Sequence, residues 1–66
     1  MKRDVALTWK GSGEPCYVDA ETTPCSCVEA YGAGAIIRGQ YADVIVRESR
    51  AHVVELLLEK MREASA

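Results

Sequence analysis

The sequence predicts an α+β domain: a small antiparallel sheet of four or five strands with one C-terminal helix packed on one face. Three observations point there. Residues 4–47 hold short apolar stretches separated by Gly, Pro and Asp turn formers. From Ser49 onward the apolar residues recur with the 3.6-residue period of a helix. The length, 66 residues with 48% hydrophobic and 27% charged, suits one folded domain spanning 1–66, whose small core makes its stability marginal.

Residues 4–9 alternate, with Val5, Leu7 and Trp9 on one side and Asp4, Ala6 and Thr8 on the other, as in a half-buried strand. Lys10-Gly11-Ser12-Gly13-Glu14 breaks the pattern and supplies glycines for a reversal, so strand 15–19 returns antiparallel with Cys16 and Val18 facing the core. Residues 20–24 end in Pro24, which cannot donate a ladder hydrogen bond, and read as a connecting turn. Strands follow at 25–31, 35–38 and 42–47, separated by Gly32-Ala33-Gly34 and Gly39-Gln40. Val44, Ile45 and Val46 are consecutive β-branched residues, with Ile45 on the face opposite its neighbours.

The helix is expected over 49–63. Ser49 is suited to accept from the open amides of the first turn, and Glu48 sits beside the positive end of the helix dipole. At 100° per residue, Ala51, Val53, Val54, Leu57, Leu58 and Met61 form the arc expected to face the sheet, with Glu55, Glu59, Arg62 and Glu63 opposite and Leu56 outside the arc. One helix on one sheet leaves the other sheet face uncovered. Tyr17, Cys25, Cys27, Tyr31 and Ile45 are the residues expected there, and this surplus apolar surface favours a two-fold homodimer.

Eight Lys+Arg against ten Asp+Glu, a net charge of −2, excludes a strongly basic field of the kind that drives non-specific nucleic-acid binding. The sequence contains no apolar run long enough to span a membrane, so no membrane partner is expected. After Met1-Lys2-Arg3 the apolar stretch Val5-Ala6-Leu7 is too short for a signal peptide, so a cytoplasmic location is expected, with the three cysteines reduced.

Cys16, Cys25, Cys27 and His52 match the ligand count of a zinc site, but Cys-x-Cys lacks the knuckle spacing such sites favour, so no metal and no other cofactor is expected. The cysteines read instead as small hydrophobes. Catalysis finds no support either: His52 is the single histidine, no local pattern pairs it with a nucleophile, and no catalytic residue is assigned. Gly32-x-Gly34 lacks the third glycine and the following helix of a dinucleotide site, which leaves these glycines as turn residues. Nucleic acid, or a small anionic, nucleotide-like ligand at a subunit junction, is the alternative to a protein partner. Lys2, Arg3, Lys10, Arg38, Arg47 and Arg50 supply charge for it, with Arg38, Arg47 and Arg50 the core of the patch, and Trp9, Tyr17, Tyr31 and Tyr41 offer stacking surfaces.

Gly13-Glu14-Pro15-Cys16-Tyr17-Val18, Val28-Glu29, and Val46-Arg47-Glu48-Ser49 followed by Val53-Val54-Glu55-Leu56-Leu57 resemble the small flagellar FlbD family and related short bacterial or prophage proteins. These combine a Gly-x-x-x-Tyr/Phe-Val hairpin, a Val-x-Glu-Ser junction from strand to helix, and a Val/Leu-rich final helix. The resemblance spans most of residues 5–60 and implies a non-enzymatic protein, so it transfers no catalytic residue. The function expected is that of a small regulatory protein that self-associates and binds a protein partner through its sheet face or edge, with Tyr17, Tyr31, Ile45 and Leu56 as contact residues.

Overall fold

A computed structural model describes residues 4–39 and 42–65. Lys2, Arg3 and Tyr41, three of the residues considered for a basic or stacking surface, lie outside that range. The architecture is α+β, with β1 (Asp4–Thr8), β2 (Pro15–Asp19), a 3-10 turn (Cys25–Cys27), β3 (Val28–Tyr31), β4 (Gly34–Ile37), β5 (Val44–Val46) and α1 (Arg50–Ser65). The strands form two antiparallel sheets, β1-β2 and β3-β4-β5, where one sheet was expected.

The division has a local cause. β1 and β5 meet at one bridge, Trp9 to Val46, where the Lys10 N–H donates to the Ile45 carbonyl at 3.1 Å and the Arg47 N–H to the Thr8 carbonyl at 2.9 Å. Past that bridge the next partner of β1 is a side chain: Glu48 accepts from the Thr8 N–H and the Thr8 hydroxyl, both at 2.9 Å. The chain then enters α1, which packs against β1, β3 and β4. The helix therefore serves both sheets.

Turn chemistry sets the strand limits. The β1–β2 loop closes with the Trp9 N–H on the Glu14 carbonyl and the Gly13 N–H on the Trp9 carbonyl, and Gly13 takes φ +77°. After β2, the Asp19 carboxylate accepts from the Glu21 N–H and its carbonyl from the Thr22 N–H, an Asx turn that ends the strand. Cys25–Cys27, expected as the start of a strand, is a 3-10 turn because the Cys27 N–H reaches back to the Pro24 carbonyl at 2.9 Å. Gly34 is required by close approach, since a Cβ there would stand 2.2 Å from the Val46 carbonyl oxygen.

The core joins Val5 and Leu7 of β1 to Val28, Ala35, Ile37 and Val46 of the larger sheet, with Ala20, Val53 and Leu57 between them. Cys16 is buried and Val18 packs at the core margin, as their strand alternation requires. Ser49 caps α1 as expected: its hydroxyl accepts from the His52 N–H at 3.3 Å and its carbonyl from the Val53 N–H.

The buried face of α1 differs from the expected arc. Val53 and Leu57 are buried and Val54 packs beside them, but Leu56 also packs against the core, while Ala51 is exposed and Leu58 and Met61 are 51% and 39% exposed. The face is turned by about 60° toward Leu56. A helix lying between two sheets needs apolar residues on the flank toward β1 as well, and Leu56 supplies that flank beside Asp4, Val5 and Ala6. Cys25 likewise packs against the core and Cys27 is half-buried, so neither stands on the outer sheet face.

Candidate partner-binding face

The side of β3-β4-β5 turned away from α1 has no covering element among the described residues. In its ladder, Glu29 pairs with Ile36 and Ile36 with Ile45, which places the three side chains in one row on one face. The hydrogen bond from Lys10 to Ile45 extends that row, giving Lys10, Ile45, Ile36 and Glu29 in order across the sheet. Both isoleucines are half-buried and form a cross-strand apolar pair at the centre. The neighbouring rows hold Val28, Ile37 and Val44, and Ala35 with Val46, which face the core.

Tyr31 pairs with Gly34 and is 45% exposed. The Lys10 ammonium stands over its ring at 5.0 Å from the centroid, a contact that orients both side chains along the rim of the face. Trp9, 38% exposed, lines a shallow concavity with Lys10, Gly11, Asp43 and Ile45. Arg47 closes the same rim, its guanidinium 3.3 Å from where a Gly13 Cβ would stand and its Nε–H donating to the Lys10 carbonyl at 3.3 Å.

The sheet edges are less available than this face. Because the Arg38 N–H donates to the Cys27 carbonyl, Val28 and Ala30 are the β3 residues whose amides and carbonyls point to the free side. Val28 is already engaged: its N–H donates to the Cys25 carbonyl and its carbonyl accepts from Arg50 Nε at 3.0 Å. On β2 the corresponding residues are Pro15, Tyr17 and Asp19, where Pro15 has no N–H and the Asp19 carbonyl is held by Thr22. The β3 and β2 edges are each left with one open residue, Ala30 and Tyr17, too few for an added strand.

Of the four residues expected at a protein contact, Tyr31 and Ile45 come together on the outer face. Tyr17, 65% exposed, belongs to the other sheet opposite Ala6, and Leu56 packs against the core. Ile36 was missed; counting the register back across the β4–β5 hairpin from Ile45 would have found it. The three arginines do not converge. Arg38 pairs with Asp43 at 3.6 Å at one end of the β4–β5 ladder, Arg47 binds the Lys10 carbonyl at the other, and Arg50 binds Val28.

Cys16, Cys25 and Cys27 are free thiols, and no three His, Cys, Asp or Glu side chains among the described residues gather at metal-binding distance. Burial, and secondarily the charge of Glu48, pushes the Cys16 thiol up, which keeps it protonated. For Glu48 burial acts to raise the carboxyl, but the two Thr8 bonds, its own backbone amide and the His52 charge outweigh it and hold the group below the ordinary glutamate range. The junction Glu48-Ser49 is thus a structural device that ties β1 to β5 and starts α1.

No helix among the described residues is long and apolar enough to cross a membrane. No family model matches the chain, and no curated protein and no solved structure shows significant similarity to it.

Proposed function

We propose that this chain is a non-enzymatic interaction module that binds a protein partner through the outer face of β3-β4-β5. The Ile36–Ile45 pair is the centre of the contact, Tyr31 its shoulder, and Lys10, Arg47 and Glu29 its charged rim. The observation that carries this reading is the cross-strand isoleucine pair on the sheet face opposite the helix. An apolar centre flanked by an aromatic and rimmed by mixed charge is the anatomy of a protein contact. The closed β2 and β3 edges favour the face over strand addition. An anion site built from Arg38, Arg47 and Arg50 has less support, since each guanidinium already serves a carboxylate or a carbonyl at a separate place.

A photo-crosslinking residue introduced at Tyr31, with a control at the exposed helix position Glu59, tests the proposal in cells of the source organism. The expected result is a discrete protein adduct from position 31 that is absent from position 59 and is lost when Ile45→Thr is added without unfolding the domain. Adduct yield insensitive to Ile45→Thr, or equal yields at both positions, overturns it. Adduct formation that collapses between low and high salt would instead point to the arginine surface.

A further inference from the structure

We infer that α1 carries a self-docking stripe through which two copies of this chain pair antiparallel about a two-fold axis. The stripe follows from the rotation of the helix described above. With Val53, Leu56 and Leu57 turned to the two sheets, Leu58 is left 51% exposed at the middle of a face that also holds Ala51, Val54 and Met61. Glu55 and Arg62 border it, and together with Leu58 and Met61 they line a shallow apolar groove. This surface is on α1, remote from the outer face of β3-β4-β5, so the inference stands apart from the proposed partner contact.

Charge placement names the occupant. Glu55 and Arg62 are seven residues apart, so they fall at the same heptad position on the same flank of the stripe, about 10 Å apart along the axis. Neither makes an ion pair or hydrogen bond with any other described residue. In an antiparallel helix pair a given flank meets the same flank of its partner. A two-fold axis passing beside Leu58 then sets Glu55 of each copy level with Arg62 of the other, giving two symmetric ion pairs over a Leu58-centred apolar contact. A parallel pair brings opposite flanks together, so Glu55 and Arg62 of one copy would face neither residue of the other, and the charge pattern selects the antiparallel orientation. One helix face per chain is a small interface, below the roughly 1,200 Å² total of stable complexes, and the dimer belongs to the weak, exchanging class.

Sedimentation equilibrium of the full chain over a wide concentration range tests this, with circular dichroism melts to show that each variant remains folded. Wild type is expected to rise toward twice the 7.2 kDa of one chain as concentration increases. Glu55→Arg or Arg62→Glu alone turns both cross-pairs repulsive and is expected to weaken dimerisation about tenfold, while the double reversal E55R/R62E restores it to within about twofold. An equimolar mixture of the two single variants is expected to form the mixed dimer in preference to either homodimer. A chain that stays monomeric throughout overturns the inference. So does a dimer that is unmoved by the charge reversals, or one lost on Ile45→Thr, which would place self-association on the sheet face.

Discussion

Glu48 adds a side-chain tie between the two sheets beside the Trp9–Val46 bridge, and replacing it gives a pH-dependent loss of stability. Its carboxylate accepts two 2.9 Å bonds from Thr8, forty residues away in sequence, and is itself half-buried. Hydrogen bonds to a charged group contribute roughly 1.5–3 kcal/mol each when well shielded and less where, as here, the carboxylate is partly in contact with water, so Glu48→Ala is expected to cost about 2–3 kcal/mol at neutral pH. Glu48→Gln keeps the shape, with an amide oxygen for the Thr8 N–H and an amide donor for the Thr8 hydroxyl, and should cost about 1 kcal/mol. The pH dependence separates charge from shape. Because the folded-state carboxyl is held below its ordinary range, its contribution is fully present above the ordinary glutamate value and is lost as pH falls through the lowered folded value. Urea unfolding at about pH 7 and about pH 3 reads this directly; with a slope near 1 kcal/mol per molar for so small a domain, the Ala variant's midpoint falls by about 2 M at the higher pH. The gap between wild type and Glu48→Gln should close at the lower pH. Parallel loss of stability in the two proteins over that interval would refute the assignment of the charge to this contact.

Two further outcomes follow from the helix orientation and the thiols. Leu57→Ala, at a side chain 2% exposed, is expected to cost about 2–5 kcal/mol in dilute solution, whereas Leu58→Ala one residue on should cost less than about 0.5. Similar losses for both in denaturant melts would contradict the observed helix face. In a thiol-reagent time course followed by peptide mapping, Cys16 should react at least about tenfold more slowly than Cys27, with a rate that climbs only at higher pH because its thiol is raised. Equal rates for the two would mean that the β1–β2 hairpin opens readily or that Cys16 is not buried.

The sequence was most informative where a single residue type decides the local backbone. Ser49 marks the helix start through its hydroxyl, Gly13 takes the positive φ of the first reversal, and alternation across residues 4–9 and 15–19 separates buried Val5, Leu7 and Cys16 from exposed Ala6 and Tyr17. It was misleading at Cys25–Cys27, where period-2 spacing suggests a strand but the Pro24 carbonyl captures the Cys27 amide and closes a turn. It was silent on the split of the sheet. Nothing in the order of residues says that Glu48 will take the Thr8 amide, a bond made across forty residues and available only once β5 has docked at Trp9.

That silence explains the other errors. A helix placed on one continuous sheet needs a single apolar arc, and the arc through Leu58 is the more hydrophobic choice by sequence. A helix wedged between β1 and the larger sheet needs apolar side chains on two flanks, so Leu56 is drawn in and Leu58 turned out. The same wedge leaves the far side of β3-β4-β5 with no covering element among the described residues, which is why Ile36 and Ile45 are only half-buried. Both apolar surfaces on which the proposals rest therefore descend from one feature, the sharing of α1 by two small sheets. Their placement has a consequence for assembly. The proposed two-fold pair on α1 would cover neither outer face, so such a dimer would present two copies of the proposed Ile36–Ile45 contact and gain avidity for a repetitive or paired target.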